Sequence, residues 1–566
     1  MDSILNNKKT LFKEALFLFI TFIISFYLRS YHINAVFISS DDAQHNLFAL
    51  NLFHRSALSL TPSNNLFAGI LSSHYGLLPF IIFIYIWALS LLRVTINETV
   101  LTLLPIILSS FIPIAVYFLI KKLHSPLSAK LSALTMAVLP FAVFRSNNSW
   151  TMGSVVPYCF SIFGIYFLIC YFETKKNYLA WLASFFICLF LTTSVMYLGI
   201  LPIIFFTSYI YNAKDKHGLL NKFKYTLMPL NKKQLLIFPA IIFTLFGIAY
   251  LYALFVLHDQ YAGFIGYLFA KKKAIGFYLV DMIIYYKHNL GNEFFCFTLL
   301  GCAFGIIQLL KFSRTSILFI WFFIFTAPFL FITPPDTTII WAYLVDSQLS
   351  LLLLTIIALC NLALIIKKKI RLLYNFSQIF MAIFLAALFL YTFGQLINHK
   401  MFKSIFSGPT SDWPLYQVDN GLKSAGFFIR ENNLNKGDLN IFTDGEPMVA
   451  HYYFGKNKIF CQYDSNIKNN LAYFKEISNY MDILVIDSQD AEKYLFIASK
   501  AGKEFYKIAE IRFEKQPIRD VYYLKNCPLR IIESERCNLE FDSHYGRIEK
   551  LVPQKIDFVP TNHPQV

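Results

Sequence analysis

Charge is scarce in this chain: Asp, Glu, Lys and Arg make up 15% of its 566 residues, against about 25% in soluble globular proteins. Cysteine is sparse as well, nine in all with no CxxC pair, so neither a metal framework nor a redox dithiol is built in. There is no glycine repeat, internal repeat or low-complexity tract, which removes collagen and solenoids. Disorder is excluded because 56% of the residues are hydrophobic, with 61 Phe among them. That apolar excess leaves a polytopic α-helical membrane protein. The formal net charge of +16 then has two readings, an anionic partner such as nucleic acid or the positive-inside bias of membrane helices.

The positions of the runs and charges choose between them. Residues 11–31 follow Lys8, Lys9 and Lys13 but lead into Phe26, Tyr27, Leu28 and Arg29, so the segment reads as an uncleaved anchor with a cytoplasmic N-terminus. Runs of spanning length follow at about 98–120, 126–144, 154–173, 178–212 (two short helices), 234–257, 291–312, 315–333, 342–366 and 374–397. If residues 75–92 also crossed, every later basic cluster would fall outside. With 75–92 interfacial or re-entrant, all of those clusters fall inside, giving about eleven spanning helices. Residues 398–566 carry 22 Lys+Arg against 22 Asp+Glu. The excess therefore belongs to residues 1–397, and the nucleic-acid reading loses its support.

From about residue 398 the composition is that of a small soluble α/β domain, expected on the extracytoplasmic side. LNIFTD (439–444) and MDILVID (481–487) read as buried strands ending in Asp, with helices at 421–431 and 491–501. The Asp444-Gly445-Glu446-Pro447 turn could bind a ligand or only cap a helix. A Cys527–Cys537 bridge stays open.

The isolated polar residues of the membrane part gather in outer loops. Asp41-Asp42 lies just beyond the first helix in the long loop 32–97. The pair fits a helix N-terminus and equally a general base facing a cavity. His45, Arg55, His74 and Tyr75 share that loop, and Arg145 opens the second. Lys271, Lys272, Lys273 and Asp281 lie in the third, and Asp336 and Tyr343 in the fourth. The lysine triplet opposes the topology rule, and a phosphate ligand would supply the compensation. On their own these residues leave three classes open: an enzyme, a transporter or lipid flippase of envelope glycoconjugate assembly, and a non-catalytic surface-assembly protein.

The order of features resembles the GT-C membrane glycosyltransferases, in particular protein mannosyltransferases and the lipid A aminoarabinose transferase. It rests on the anchor helix, SSDDAQH, SHYGLLPF, the inner Lys-Lys turn of FLIKKLHSPLSAKLSALTMAVLPF and the outer C-terminal domain. The resemblance implies transfer of a sugar from a polyprenyl-phosphate carrier to a lipid, glycan or protein hydroxyl at the outer face of the inner membrane. It makes Asp41 or Asp42 the base and places Arg55, His74 and a lysine among 271–273 on the phosphate. Both prolines of the family's second motif are absent here, and Gln44 replaces a basic residue. The second outer loop lacks an acid near Gly153, so no divalent metal or other cofactor is assigned.

Overall fold

The structure, a computed structural model, describes residues 2–30, 78–139, 156–191, 199–237, 279–290, 292–331, 337–369, 421–431, 439–445, 447–454, 457–462, 467–513, 516–524 and 547–555, with isolated positions between them. It divides into two compact units, Met1–Ile33 with Phe48–His399, and Asn34–Leu47 with Lys400–Val566.

The first unit is helical. It contains α1 (Asp2–Ser30), α2 (Leu78–Leu91), α3 (Glu98–Ser110), α4 (Ile112–Leu123), α5 (Pro126–Val138), α6 (Val156–Thr174), α7 (Asn177–Leu191) and α8 (Ile200–Ser208). After α8, a π-turn over Tyr209–Ala213 leads to α9 (Leu219–Leu227), and then come α10 (Leu279–Leu290), α11 (Asn292–Leu310), α12 (Ser316–Phe331) and α13 (Thr337–Lys369). Among the described residues Leu11–Ser30, Thr99–Leu123 and Val156–Thr174 are long and apolar enough to cross a membrane, and shorter apolar helices accompany them. The run at 98–120 is two helices that meet at Phe111, with Pro105 inside the first and Pro113 opening the second. A proline withholds an N–H and crowds the preceding turn, so a break there is expected. The 126–144 run stops at Val138 because Leu139, which precedes Pro140, turns extended. The 178–212 run is two helices, as its length suggests. Most of 234–257 and 374–397 lies outside the described residues.

Ion pairs fix which helix ends share a face. Lys121 at the end of α4 meets Glu14 in α1 at 2.8 Å, Lys122 meets Glu173 at 2.6 Å, and Arg314 meets Glu173 at 3.4 Å. His124 contacts Asn361 of α13 at 2.9 Å. All four contacts lie at one end of the bundle, here termed the basic end. Between Glu14 and Lys121 the chain must traverse the bundle an even number of times. The α1 helix and the α3–α4 pair supply two, so a crossing by α2 would require another within residues 31–77. At 14 residues α2 is about 21 Å long, short of the roughly 30 Å hydrocarbon layer. Glycine permits close approach between helices: a Cβ on Gly301 of α11 would run into Thr355 Oγ1 and lie 2.9 Å from its backbone N in α13.

The second unit contains α14 (Leu422–Glu431), β1 (Asn440–Thr443), α15 (Pro447–Phe454), β2 (Lys458–Cys461), α16 (Ile467–Ile477), β3 (Ile483–Asp487), α17 (Ala491–Lys500), β4 (Phe505–Phe513), β5 (Gln516–Leu524) and β6 (Arg547–Lys555). The described strands form one sheet in the order β2-β1-β3-β5-β4-β6. β1 is parallel to both β2 and β3, while β5, β4 and β6 run antiparallel to their neighbours. Alternation along β3 sends Ile483 and Val485 into one core with α14 and α15, and Leu484 and Ile486 into another with α16 and α17. A strand buried on both faces reads as a continuous apolar run, which is why MDILVID was legible.

Candidate functional site

Every catalytic or phosphate-binding residue expected from the sequence lies outside the described residues: Asp41, Asp42, His45, Arg55, His74, Tyr75, Arg145, Lys271, Lys272, Lys273 and Asp336. Asp281 falls in α10 and Tyr343 in α13, without described side chains. What is on view is the frame to which those segments attach. Ala43, next in sequence to Asp42, is fully buried in the core of the second unit with Leu422, Ile483 and Val485. Asn46, one helical turn on, is also buried.

At the end of the bundle opposite the basic end, the last turn of α1 carries Arg29, which is completely buried. Its Nη1 donates to Ser25 Oγ (2.6 Å), the Ser25 carbonyl (3.3 Å) and the Ala137 carbonyl (3.1 Å). Its Nη2 donates to the Met136 carbonyl (3.2 Å), and Nε donates to Ser146 Oγ (2.9 Å). Met136 and Ala137 belong to the last turn of α5, whose carbonyls have no partner within their own helix. The guanidinium thus closes that helix and joins it to the end of α1 on one side and, through Ser146, to the segment after α5 on the other. Sequence reading passed over Arg29 as part of an anchor. The available signal was a charged residue ending a lipid-facing run with Ser25 four positions earlier, on the same helix face.

A second polar contact lies inside the bundle. The hydroxyl of buried Tyr286 in α10 meets Ser347 Oγ of α13 at 2.7 Å and Thr326 Oγ1 of α12 at 3.4 Å. Ser347 is 14 residues from Asn361, about 21 Å along the helix, so this contact belongs to the half of the bundle away from the basic end. It pins α10, whose first turn bears Asp281, to α13, where Tyr343 precedes Ser347 by one turn.

In the second unit, the turn at Asp444 has a structural task. Asp444 Oδ1 accepts from Arg519 at 2.7 Å, and its carboxylate accepts the Asp487 backbone N–H at 3.0 Å. Arg519 passes beneath Gly421, where an added Cβ would lie 2.6 Å from the Arg519 Cβ and where φ is +90°. Glycine is required there on both counts. Partial burial holds the Asp487 carboxyl above the usual aspartate range, opposed by the Gln489 N–H and the Arg519 charge. Among the described residues no three His, Cys, Asp or Glu side chains converge as metal ligands.

No protein-family profile matches the chain, and no curated protein matches it in sequence. Solved structures do match in fold. ArnT from Cupriavidus metallidurans, bound to undecaprenyl phosphate, superposes with a TM-score of 0.56 at 9% identity, over 90% of this chain and 97% of that one. The Archaeoglobus fulgidus oligosaccharyltransferase, in complex with zinc and sulfate, gives 0.52 at 14% identity over 89% and 72%. The archaeal enzyme with an inhibitory peptide and a dolichol-phosphate gives 0.50 at 12% over 93% and 75%. These are GT-C membrane glycosyltransferases, and this chain has their fold.

Proposed function

We propose, from a chain that carries the GT-C fold through both its helical unit and its C-terminal sheet unit, that it transfers a sugar from a polyprenyl-phosphate carrier to an acceptor hydroxyl. The single observation that supports this most is the superposition on ArnT, which spans nearly all of both chains. Those neighbours were solved with undecaprenyl phosphate and dolichol-phosphate, and an apolar bundle with polar outer loops suits a lipid tail and a charged head together.

In this reading Asp41 or Asp42 takes the proton of the acceptor hydroxyl as its oxygen attacks the anomeric carbon. The bond from that carbon to the phosphate oxygen breaks, and polyprenyl phosphate leaves. Arg55, His74 and one of Lys271–Lys273 neutralise the leaving group. A single displacement inverts the anomeric centre. The basic end faces the cytoplasm by the positive-inside rule, so the acid pair works at the outer face of the inner membrane.

The test is transfer of labelled sugar from polyprenyl-phosphate donors in membranes containing the full chain. Wild type is expected to turn over, and Asp41→Asn or Asp42→Asn to lose about 100-fold or more. Full turnover by both variants would overturn the assignment of the base.

A further inference from the structure

The segment after α8 is strongly basic. Residues 214–233 carry six lysines and one acid, Asp215. The side chain of Lys175 reaches Asn212 at 3.0 Å, and Lys175 adjoins Glu173, so the segment belongs to the basic end. Within it α9 is amphipathic. Leu220, Phe223 and Leu227 recur at i, i+3 and i+7 and are 84%, 56% and 39% exposed, and Met228 beyond them is 58% exposed. Lys224 borders that stripe, and half-buried Lys222 lies toward the docked side, one turn before Thr226.

This helix is held in place by its other side. Thr226 is buried, and its carbonyl accepts from Ser208 Oγ of α8 at 2.7 Å. Phe223, at the edge of the stripe, also touches α8, its ring 6.3 Å from that of Phe205, and Lys216 sits over the Tyr225 ring at 4.7 Å. A docked helix with an exposed apolar stripe is a surface awaiting a partner. The lysines decide which one: apolar side chains bordered by cations fit the headgroup and acyl boundary of an anionic leaflet. Lys175 adds to this, since burial and then the Lys232 charge hold its amine below the usual lysine range. A phosphate between those two amines would offset their mutual repulsion.

We propose that α9 with the lysines flanking it forms a binding surface for anionic phospholipid, inserting Leu220, Phe223 and Leu227 at the boundary while Lys222, Lys224, Lys232 and Lys175 engage lipid phosphates. Nothing in this depends on the glycosyl-transfer reading. It requires only that the helical unit span a membrane.

Hydrogen–deuterium exchange of the peptide covering 219–228 tests it, with the full chain in nanodiscs of phosphatidylcholine alone or with phosphatidylglycerol. Exchange is expected to slow about fivefold for each lysine brought to the anionic surface, and the difference is expected to vanish at high salt. In Lys222→Gln/Lys224→Gln the dependence on lipid charge shrinks while exchange elsewhere is unchanged. Equal exchange in both lipids for the wild type overturns the proposal, and needs no variant to fold. So does protection that follows protein concentration at fixed lipid, since it would assign the stripe to a second copy of the chain.

Discussion

Replacing Arg29 should loosen the end of α1 and the segment that follows α5 at once. In Arg29→Ala the carbonyls of Met136 and Ala137 lose their donor, and Ser25 and Ser146 lose theirs. A buried polar group left unpaired costs about 1–3 kcal/mol. The two helix-end carbonyls alone thus give about 2–6 kcal/mol, from which relief of a buried charge subtracts. We expect a net loss near 3 kcal/mol, read as a lower midpoint of thermal unfolding in nanodiscs. Ser146→Ala should cost only about 1 kcal/mol, because four of the five guanidinium contacts survive. Because Ser146 acts through Arg29, the double variant should be no worse than Arg29→Ala. Arg29→Lys should recover part of the loss, since an ammonium cannot span Ser146 and both carbonyls in the guanidinium's plane. An Arg29→Ala midpoint within error of wild type would refute this account, as would strict additivity with Ser146→Ala.

Gly301→Ala forces a methyl against Thr355 and should destabilise by about 1–3 kcal/mol, with Thr355→Ala giving only partial relief because the Thr355 backbone N is also in the way; unfolding in nanodiscs reads it. Asp487 is held above its ordinary value when folded, so the folded chain binds the extra proton. Stability should therefore fall as pH rises from the ordinary aspartate range through the raised value, then level off. Asp487→Asn should remove that dependence and protect β3 at neutral pH in exchange experiments on the full chain. Thiols introduced at Ser73 and Thr95, in a background without native cysteines, should react with impermeant reagent from the same side of the membrane. Labelling from opposite sides would mean that α2 crosses and that residues 31–77 hold another span.

Much of the helical unit was legible because spanning runs are set by length and apolarity, which sequence displays directly. The two-helix character of 178–212 and the ends of α11 and α12 came within a few residues. The break at Phe111 was less visible, although Pro105 and Pro113 bracket it, because hydropathy ignores backbone donors. In the sheet unit β1 and β3 stood out as two-faced strands, whereas β4 and β5 mix charged and apolar residues and draw their order from pairing with distant partners. Arg29 escaped notice because its acceptors are mostly backbone carbonyls and hydroxyls more than a hundred residues away, which no local pattern encodes. The acid pair rests on motif and position alone, because both residues lie outside the described ones.

The manner in which α1 is held has a consequence for biogenesis. Many apolar side chains of α1 are exposed in the described structure, and its ion pair and guanidinium contacts lie toward the two ends of its apolar stretch Leu11–Ser30, Glu14 to Lys121 and Arg29 to α5 and Ser146. Ser146 is made 117 residues after Arg29. At roughly 5–20 residues per second, Arg29 waits roughly 6–23 s for its last acceptor. Through that interval a guanidinium must stay hydrated at the lipid headgroups, and α1 can dock fully only once the ribosome has delivered the helices that carry its acceptors.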